Sequence, residues 1–210
     1  MLISIEGIDA CGKNTISKLL EKYLVNQAEN VVRFSCPNSE SVSGMLIQAI
    51  DMGWLDIGTR TNDGGQAEAE IRQCLHIVNR LDSLPEGLWG RSKTIFIADR
   101  YIDSTMAYGI ASGVDRAWLQ RVKRCLPQPD LSILLDIPVE ESFRRRPERR
   151  DSIESDARLL ASVRAAYLDL FSGRSMHRVV VDATGSVDQT FLAVIEAISN
   201  IKQVMSTIFM

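Results

Sequence analysis

No two cysteines of this chain stand close together. Cys11, Cys36, Cys74 and Cys125 are widely spaced and form no Cys-x-x-Cys pair, which excludes both the ligand spacing of a zinc site and a disulfide framework. Free thiols in a reducing compartment are implied. Strong charge of either sign is lacking too. Lys and Arg number 24 against 27 Asp and Glu, a formal net charge of -3, so no general affinity for nucleic acid is expected and cations that hold phosphates must be concentrated locally. No apolar run approaches the roughly 20 residues of a membrane span. The first residues enter a strand pattern without a basic segment and a long apolar stretch, so a soluble, cytoplasmic protein with no membrane partner is expected. Internal repeats, low-complexity segments and linkers are also missing. With 210 residues, 45% hydrophobic and 24% charged, one α/β domain over residues 1–210 with one sizeable core is expected.

What is present starts at Gly7. The stretch Gly7-Ile8-Asp9-Ala10-Cys11-Gly12-Lys13-Asn14-Thr15 follows the apolar run Leu2, Ile3, Ile5 and leads into Ile16, Leu19, Leu20, Tyr23 and Leu24 at helical spacing. Strand, glycine-bounded turn and helix in this order read as a phosphate-binding loop over residues 7–15. Its backbone N–H groups turn inward around an anion, the helix N-terminus adds partial positive charge, and Lys13 adds a full one. Gly7, Ala10, Cys11, Gly12, Lys13, Asn14 and Thr15 are therefore expected around the donor phosphates. The pattern asks for Ser or Thr after the lysine, as a magnesium ligand. Asn14 stands there instead, an amide oxygen of weaker donor power, with Thr15 next in line.

Further strands are expected at Val31–Phe34, Thr94–Ala98, Leu131–Leu135 and Val179–Val181, with helices over 40–52, 67–84, around Trp118–Val122, through Leu159–Phe171 and after Ser186. Gly53, Gly58, Gly64 and Gly65 mark an irregular connection between two of them. The alternation of strand and helix predicts a parallel sheet covered on both faces. In such sheets ligands collect beyond the C-terminal ends of the strands. The loop Ser35–Ser39, the pair Asp99-Arg100 and the basic stretch Arg144-Arg145-Arg146-Pro147-Glu148-Arg149-Arg150 all belong to that edge. An acid at Asp99 suits hydrated magnesium, and Arg100 suits a phosphate.

These residues together resemble the thymidylate kinases, a family of P-loop nucleoside monophosphate kinases. The resemblance rests on Glu6-Gly7-Ile8-Asp9; on Asn79-Arg80; on Asp99-Arg100-Tyr101 followed by Ser104, Ala107 and Tyr108; on Pro129-Asp130-Leu131 before a strand ending Leu135-Asp136; and on the arginine stretch, Val163-Arg164 with Tyr167-Leu168, and Asp182-Ala183. It implies a three-layer P-loop NTPase fold, a five-stranded parallel sheet flanked by helices with a short arginine-rich lid at about 142–156. It also implies ATP as donor, Mg2+, dTMP as acceptor and a homodimer.

By the same resemblance Asp9 lies near the acceptor phosphate and sugar, Arg100 grips the monophosphate, and Asp99 neighbours the magnesium with Asn14 and Thr15. Arg80 hydrogen-bonds the base, His76 stands where an aromatic ring usually stacks on it, and Ser104 and Thr105 meet its edge. Tyr108 lies under the sugar, and Phe34 and Pro37 border the acceptor. Gly109 replaces a usual glutamine. Ala10 leaves the loop without an arginine, so the chain resembles members whose catalytic arginine comes from the lid; Arg145, Arg149 and Arg150 are the candidates, in no order. The expected reaction is phosphorylation of dTMP to dTDP. A kinase for other deoxynucleoside monophosphates or a deoxynucleoside, and a catalytically weak nucleotide binder suggested by Asn14, are the alternatives.

Overall fold

Five short strands give the chain its frame, and all run the same way. In the computed structural model, which describes residues 1–57, 66–90, 93–148, 156–173, 175 and 177–208, they are β1 (Leu2–Glu6), β2 (Val31–Ser35), β3 (Ile95–Asp99), β4 (Leu131–Asp136) and β5 (Arg178–Asp182). Their order across the sheet is β2-β3-β1-β4-β5, parallel throughout. The central strands β3, β1 and β4 are almost wholly buried and accordingly apolar, as a sheet covered on both faces requires.

Alternation along the strands assigns the two faces. Ile3, Ile5, Ile95 and Ile97 join a core with α1 (Lys13–Asn26) and the closing helix α8 (Val187–Ile208). Leu2, Phe96 and Ala98 face the other way, onto α3 (Gln66–Asp82), α4 (Ile102–Ala111) and α5 (Arg116–Val122). Glu6 shares the period of Leu2 and Ser4, so a carboxylate stands at the end of that second face. Helix α7 (Ala157–Phe171) packs along α4. Helix α2 (Val42–Asp51) packs against α3 at the sheet's β2 side, and the short α6 (Val139–Arg145) follows β4.

The expected sheet is the observed one, but two helices were not legible. Helix α4 buries seven of its ten residues, Asp103, Ser104 and Thr105 among them. Buried on most sides, it shows none of the apolar stripe that marks a surface helix. Helix α6 was read as part of a basic stretch, because its last turn carries Arg144 and Arg145. The expected lid at about 142–156 thus begins inside α6. Arg149 and Arg150 lie outside the described residues, as does the connection at 58–65. No helix among the described residues is long and apolar enough to cross a membrane.

Candidate active site

The loop after β1 is shaped by three residues with positive φ: Gly7 at 139°, Ala10 at 60° and Gly12 at 101°. Gly7 also lacks room for a side chain, since a Cβ there would lie 2.5 Å from the Leu135 carbonyl oxygen and 2.7 Å from Cys11 Sγ. Helix α1 opens directly from Gly12. Its N-cap makes no side-chain hydrogen bond and its first turn holds no acidic residue, so its N–H groups and its positive end are left for an anion. The Lys13 ammonium lies folded into the loop, donating to the carbonyls of Ile8 at 2.7 Å and Gly7 at 3.1 Å.

Across from this loop Arg100 directly follows β3. Its guanidinium donates to Asp9 Oδ1 at 2.5 Å and to the Gly7 carbonyl at 3.0 Å, and lies 5.5 Å from the centre of the Tyr108 ring. Tyr108 donates its hydroxyl to Asp9 Oδ2 at 3.1 Å. Burial works against the Asp9 charge, but Arg100, Lys13 and the Tyr108 hydroxyl outweigh it and hold the carboxyl down at about 2. Burial, countered in part by Arg100, pushes the Tyr108 hydroxyl up, so it stays a donor at neutral pH. The sequence-expected acceptor residues Asp9, Arg100 and Tyr108 therefore form one group at the rim of the phosphate loop. Asp99 is half-buried at the same strand end, while Asn14 and Thr15 are exposed on the first turn of α1. No group of three or more His, Cys, Asp or Glu side chains able to hold a metal ion gathers among the described residues.

Behind Arg100 the structure joins residues that the sequence named separately. Glu6, fully buried, accepts the Tyr101 N–H at 2.9 Å and the Ser104 hydroxyl at 2.6 Å, and Ser104 and Tyr167 share a hydrogen bond of 2.7 Å. This corrects the expectation for Ser104: its hydroxyl is turned into the core rather than toward a base edge, because the Glu6 carboxylate needs donors there. Burial and the Asp103 charge push the Glu6 carboxyl up to about 7.

The face of α3 is likewise more committed than expected. Asn79 is fully buried and clamps the loop before α2, accepting from Asn38 N–H at 2.9 Å and donating to Ser41, Ser43 and the Asn38 carbonyl. Arg80 donates to the Tyr101 carbonyl at 3.0 Å, which fixes α3 to the start of α4, and to the His76 carbonyl of its own helix at 2.9 Å; both are backbone contacts where a base contact was expected. His76 Nδ1, Thr105 Oγ1 and Gln73 Oε1 are shut off from solvent without a hydrogen-bond partner among the described residues. Burial, with Arg80, Arg100 and Arg72 nearby, lowers His76 to about 3, so its ring is neutral. Gly109 has a steric reason: a Cβ would come within 2.7 Å of Leu119 and 3.3 Å of Gln73. Phe34 packs edge-on against Tyr101 at 6.1 Å, and Pro37, after a cis bond, is exposed. Phe34 also lines a cleft of about 310 Å³ with Ser35, Asn38 and Ser83.

On the far side of the loop, an open cleft of about 410 Å³ runs between Gly12, Thr15, Arg145 and the turn Ala183–Ser186. Arg145 donates to Glu141 at 2.6 Å and to the Ala183 carbonyl at 2.7 Å. It thereby forms a wall of this cleft, beside the turn after β5. The base of α6 is fastened to the loop by the buried Ser142, whose hydroxyl donates to the Asp9 carbonyl at 2.7 Å. Ser142 and Glu141 carried no motif signal, whereas Glu6 and Tyr167 entered only through the resemblance, which assigned neither of them a role.

The model of the thymidylate kinase family matches residues 5–194. Among similar proteins, a probable thymidylate kinase of Sulfolobus acidocaldarius is 33% identical over 193 residues, covering 90% of this chain and 91% of its own. Another, of Thermococcus onnurineus, is 35% identical over 192 residues, covering 90% and 92%. A solved thymidylate kinase structure from Candida albicans superposes with a TM-score of 0.74 at 23% identity, over 96% of this chain and 92% of that one, and so bears out the fold.

Glu6 generates a prediction in the neutral range. Its folded value of about 7 exceeds the ordinary 4.5, so the fold binds its proton more tightly than the unfolded chain does. The resulting stabilisation is complete below the ordinary value and is lost as pH rises through the folded one. The unfolding free energy of the unmodified protein minus that of Glu6→Gln should fall between about pH 5 and about pH 8 in urea titrations. A difference that stays flat would mean that Glu6 titrates as an ordinary carboxyl.

Proposed function

The chain belongs to the thymidylate kinase family, and we propose that it transfers the γ-phosphoryl group of ATP to dTMP, giving dTDP, as one kinase domain over residues 1–210. The observation that carries this reading is the meeting of Arg100, Asp9 and Tyr108 with the open end of α1. An anion held by the loop and a second one held by Arg100 would be neighbours.

The donor phosphates take the loop N–H groups and Lys13, which exchanges the Gly7 and Ile8 carbonyls for phosphate oxygens. The donor base takes the cleft beside Arg145, Ala183 and Thr184. The acceptor phosphate takes Arg100, with Asp9 keeping the guanidinium oriented, while Tyr108 lies under the sugar and His76 and Thr105 surround the base. Phe34 and Pro37 border it. Asp99, Thr15 and Asn14 would hold Mg2+, which when bound neutralises charge on the phosphates. No covalent intermediate is required: in-line positioning and fixed positive charge carry the rate, and the lid arginines Arg145, Arg149 and Arg150 add cations when the site closes and water is excluded. The four cysteines are free thiols, in keeping with a cytoplasmic setting.

A second copy of the chain is the partner we propose for the α2–α3 face. Val42, Met45 and Leu46 on α2 and Ile71, Val78 and Leu81 on α3 are large apolar side chains left exposed, Val42 by 76%. The two helices pack together, with Arg72 of α3 paired to Asp51 of α2 at 2.8 Å and Asn79 bonded to Ser43, so these side chains belong to neighbouring helices. An apolar patch of this kind is typical of an interface.

ADP release measured with ATP, magnesium and a panel of acceptors should give the highest kcat/KM on dTMP; activity on thymidine without activity on dTMP would overturn the reading. In the same assay Lys13→Ala should lower kcat about 100-fold or more, and Arg100→Ala should raise the KM for dTMP. Asn14→Thr, which restores a hydroxyl, should lower the magnesium concentration needed for half-maximal rate; a loss of activity would mean that the amide itself is built into the site. Val78→Glu should convert a dimer to a monomer in sedimentation velocity, and an unchanged sedimentation coefficient would remove the α2–α3 face as the contact.

A further inference from the structure

Arg100 is held in the left-handed region, with φ at 64°, a backbone state that a residue with a side chain leaves unless its surroundings fix it. The fixing bonds come from β1. The Arg100 N–H donates to the Ile5 carbonyl at 3.0 Å, and the next N–H, of Tyr101, donates to Glu6 Oε1 at 2.9 Å. Tyr101 is also the N-cap of α4 and makes no side-chain cap of its own. Glu6 thus takes up the N–H of that N-cap residue from another element. Its second oxygen takes the Ser104 hydroxyl from the first turn of α4, and Ser104 is bonded in turn to Tyr167 of α7.

We propose that Glu6 is a positioning residue for the acceptor: by receiving the Tyr101 N–H and the Ser104 hydroxyl it holds the left-handed turn that aims the Arg100 guanidinium at Asp9, Tyr108 and the acceptor phosphate. The inference rests on the reading of Arg100 as the acceptor's grip. Glu6 is 0% exposed and acts through Arg100. A carboxyl group suits the task because the Tyr101 N–H, the Ser104 hydroxyl and, at 3.4 Å, the Tyr167 hydroxyl converge on its two oxygens. A purely stabilising role fits the site poorly. Burial raises the Glu6 carboxyl to about 7, so at neutral pH and above its charged form weighs against the fold, and an uncharged residue would avoid that cost.

The test compares Glu6→Ala, Glu6→Gln, Arg100→Ala and the double variant Glu6→Ala/Arg100→Ala in the full chain. Glu6→Ala should raise the KM for dTMP about tenfold while the KM for ATP stays within about twofold. Glu6→Gln, which keeps one oxygen for the Tyr101 N–H, should recover most of that loss. The double variant should bind dTMP no more weakly than Arg100→Ala alone, because Glu6 works through Arg100. Without nucleotide, amide exchange at Tyr101 should accelerate in Glu6→Ala and much less in Glu6→Gln. An unchanged dTMP KM with faster Tyr101 exchange, or dTMP and ATP KM values that rise together, would overturn the proposal. If Arg100→Ala leaves the dTMP KM unchanged, the acceptor-grip reading fails, whereas unaltered Tyr101 exchange in Glu6→Ala would refute the Glu6 role alone. Should Glu6→Ala not fold, Ser104→Ala withdraws the shortest of the Glu6 bonds and should raise the dTMP KM about threefold; no rise would count against the proposal.

Discussion

The ion pair between Arg100 and Asp9 ties the segment after one central strand to the segment after its neighbour. Asp9 belongs to the loop after β1, Arg100 to the turn after β3, and their side chains are only 17% and 15% exposed. A pair so sheltered gains more from its attraction than a surface pair does, and removing one partner leaves the other charge stranded, commonly at a cost of about 3–5 kcal/mol in buried sites. Other contacts converge on the same place. Tyr108 ties α4 to Asp9, the Gly7 carbonyl takes a second arginine N–H, and Ser142 anchors α6 to the Asp9 backbone. The phosphate loop is thereby held from both sides of the sheet.

The positive charges of the site are occupied by the protein's own oxygens. Lys13 rests on two loop carbonyls, Arg100 on Asp9 and Gly7, and Arg145 on Glu141 and Ala183. Such partners keep cations in place without forming a permanent sink for them, since a phosphate oxygen is the stronger acceptor. A chain with a formal net charge of -3 can therefore present a cationic site at one edge of its sheet while remaining acidic elsewhere.

Much of this was legible in the sequence, and the remainder has physical reasons. The phosphate loop announced itself because glycine spacing, a preceding apolar run and a following helical period are all local. The five strands followed from short apolar runs, and Asp99-Arg100 from its position at the end of one. Helix α4 was hidden because burial on most of its sides removed the polar stripe. Ser104 was expected to face the base, and its inward turn depends on Glu6, a residue 98 positions earlier that no local pattern connects to it. Asn79 and Arg80 were expected together, yet one fastens a loop and the other bonds carbonyls. Side-chain direction in such cases is decided by contacts distant in sequence.

Helix α1 begins without a cap, with no acidic residue in its first turn and with left-handed Gly12 before it. Most helices complete their own first turn with a side-chain oxygen. On the proposed function the completing oxygens would come with the nucleotide, and the substrate would also be the missing piece of secondary structure. Every catalytic cycle would then end by taking that piece away, and the energy that finished the helix would be returned when the product leaves.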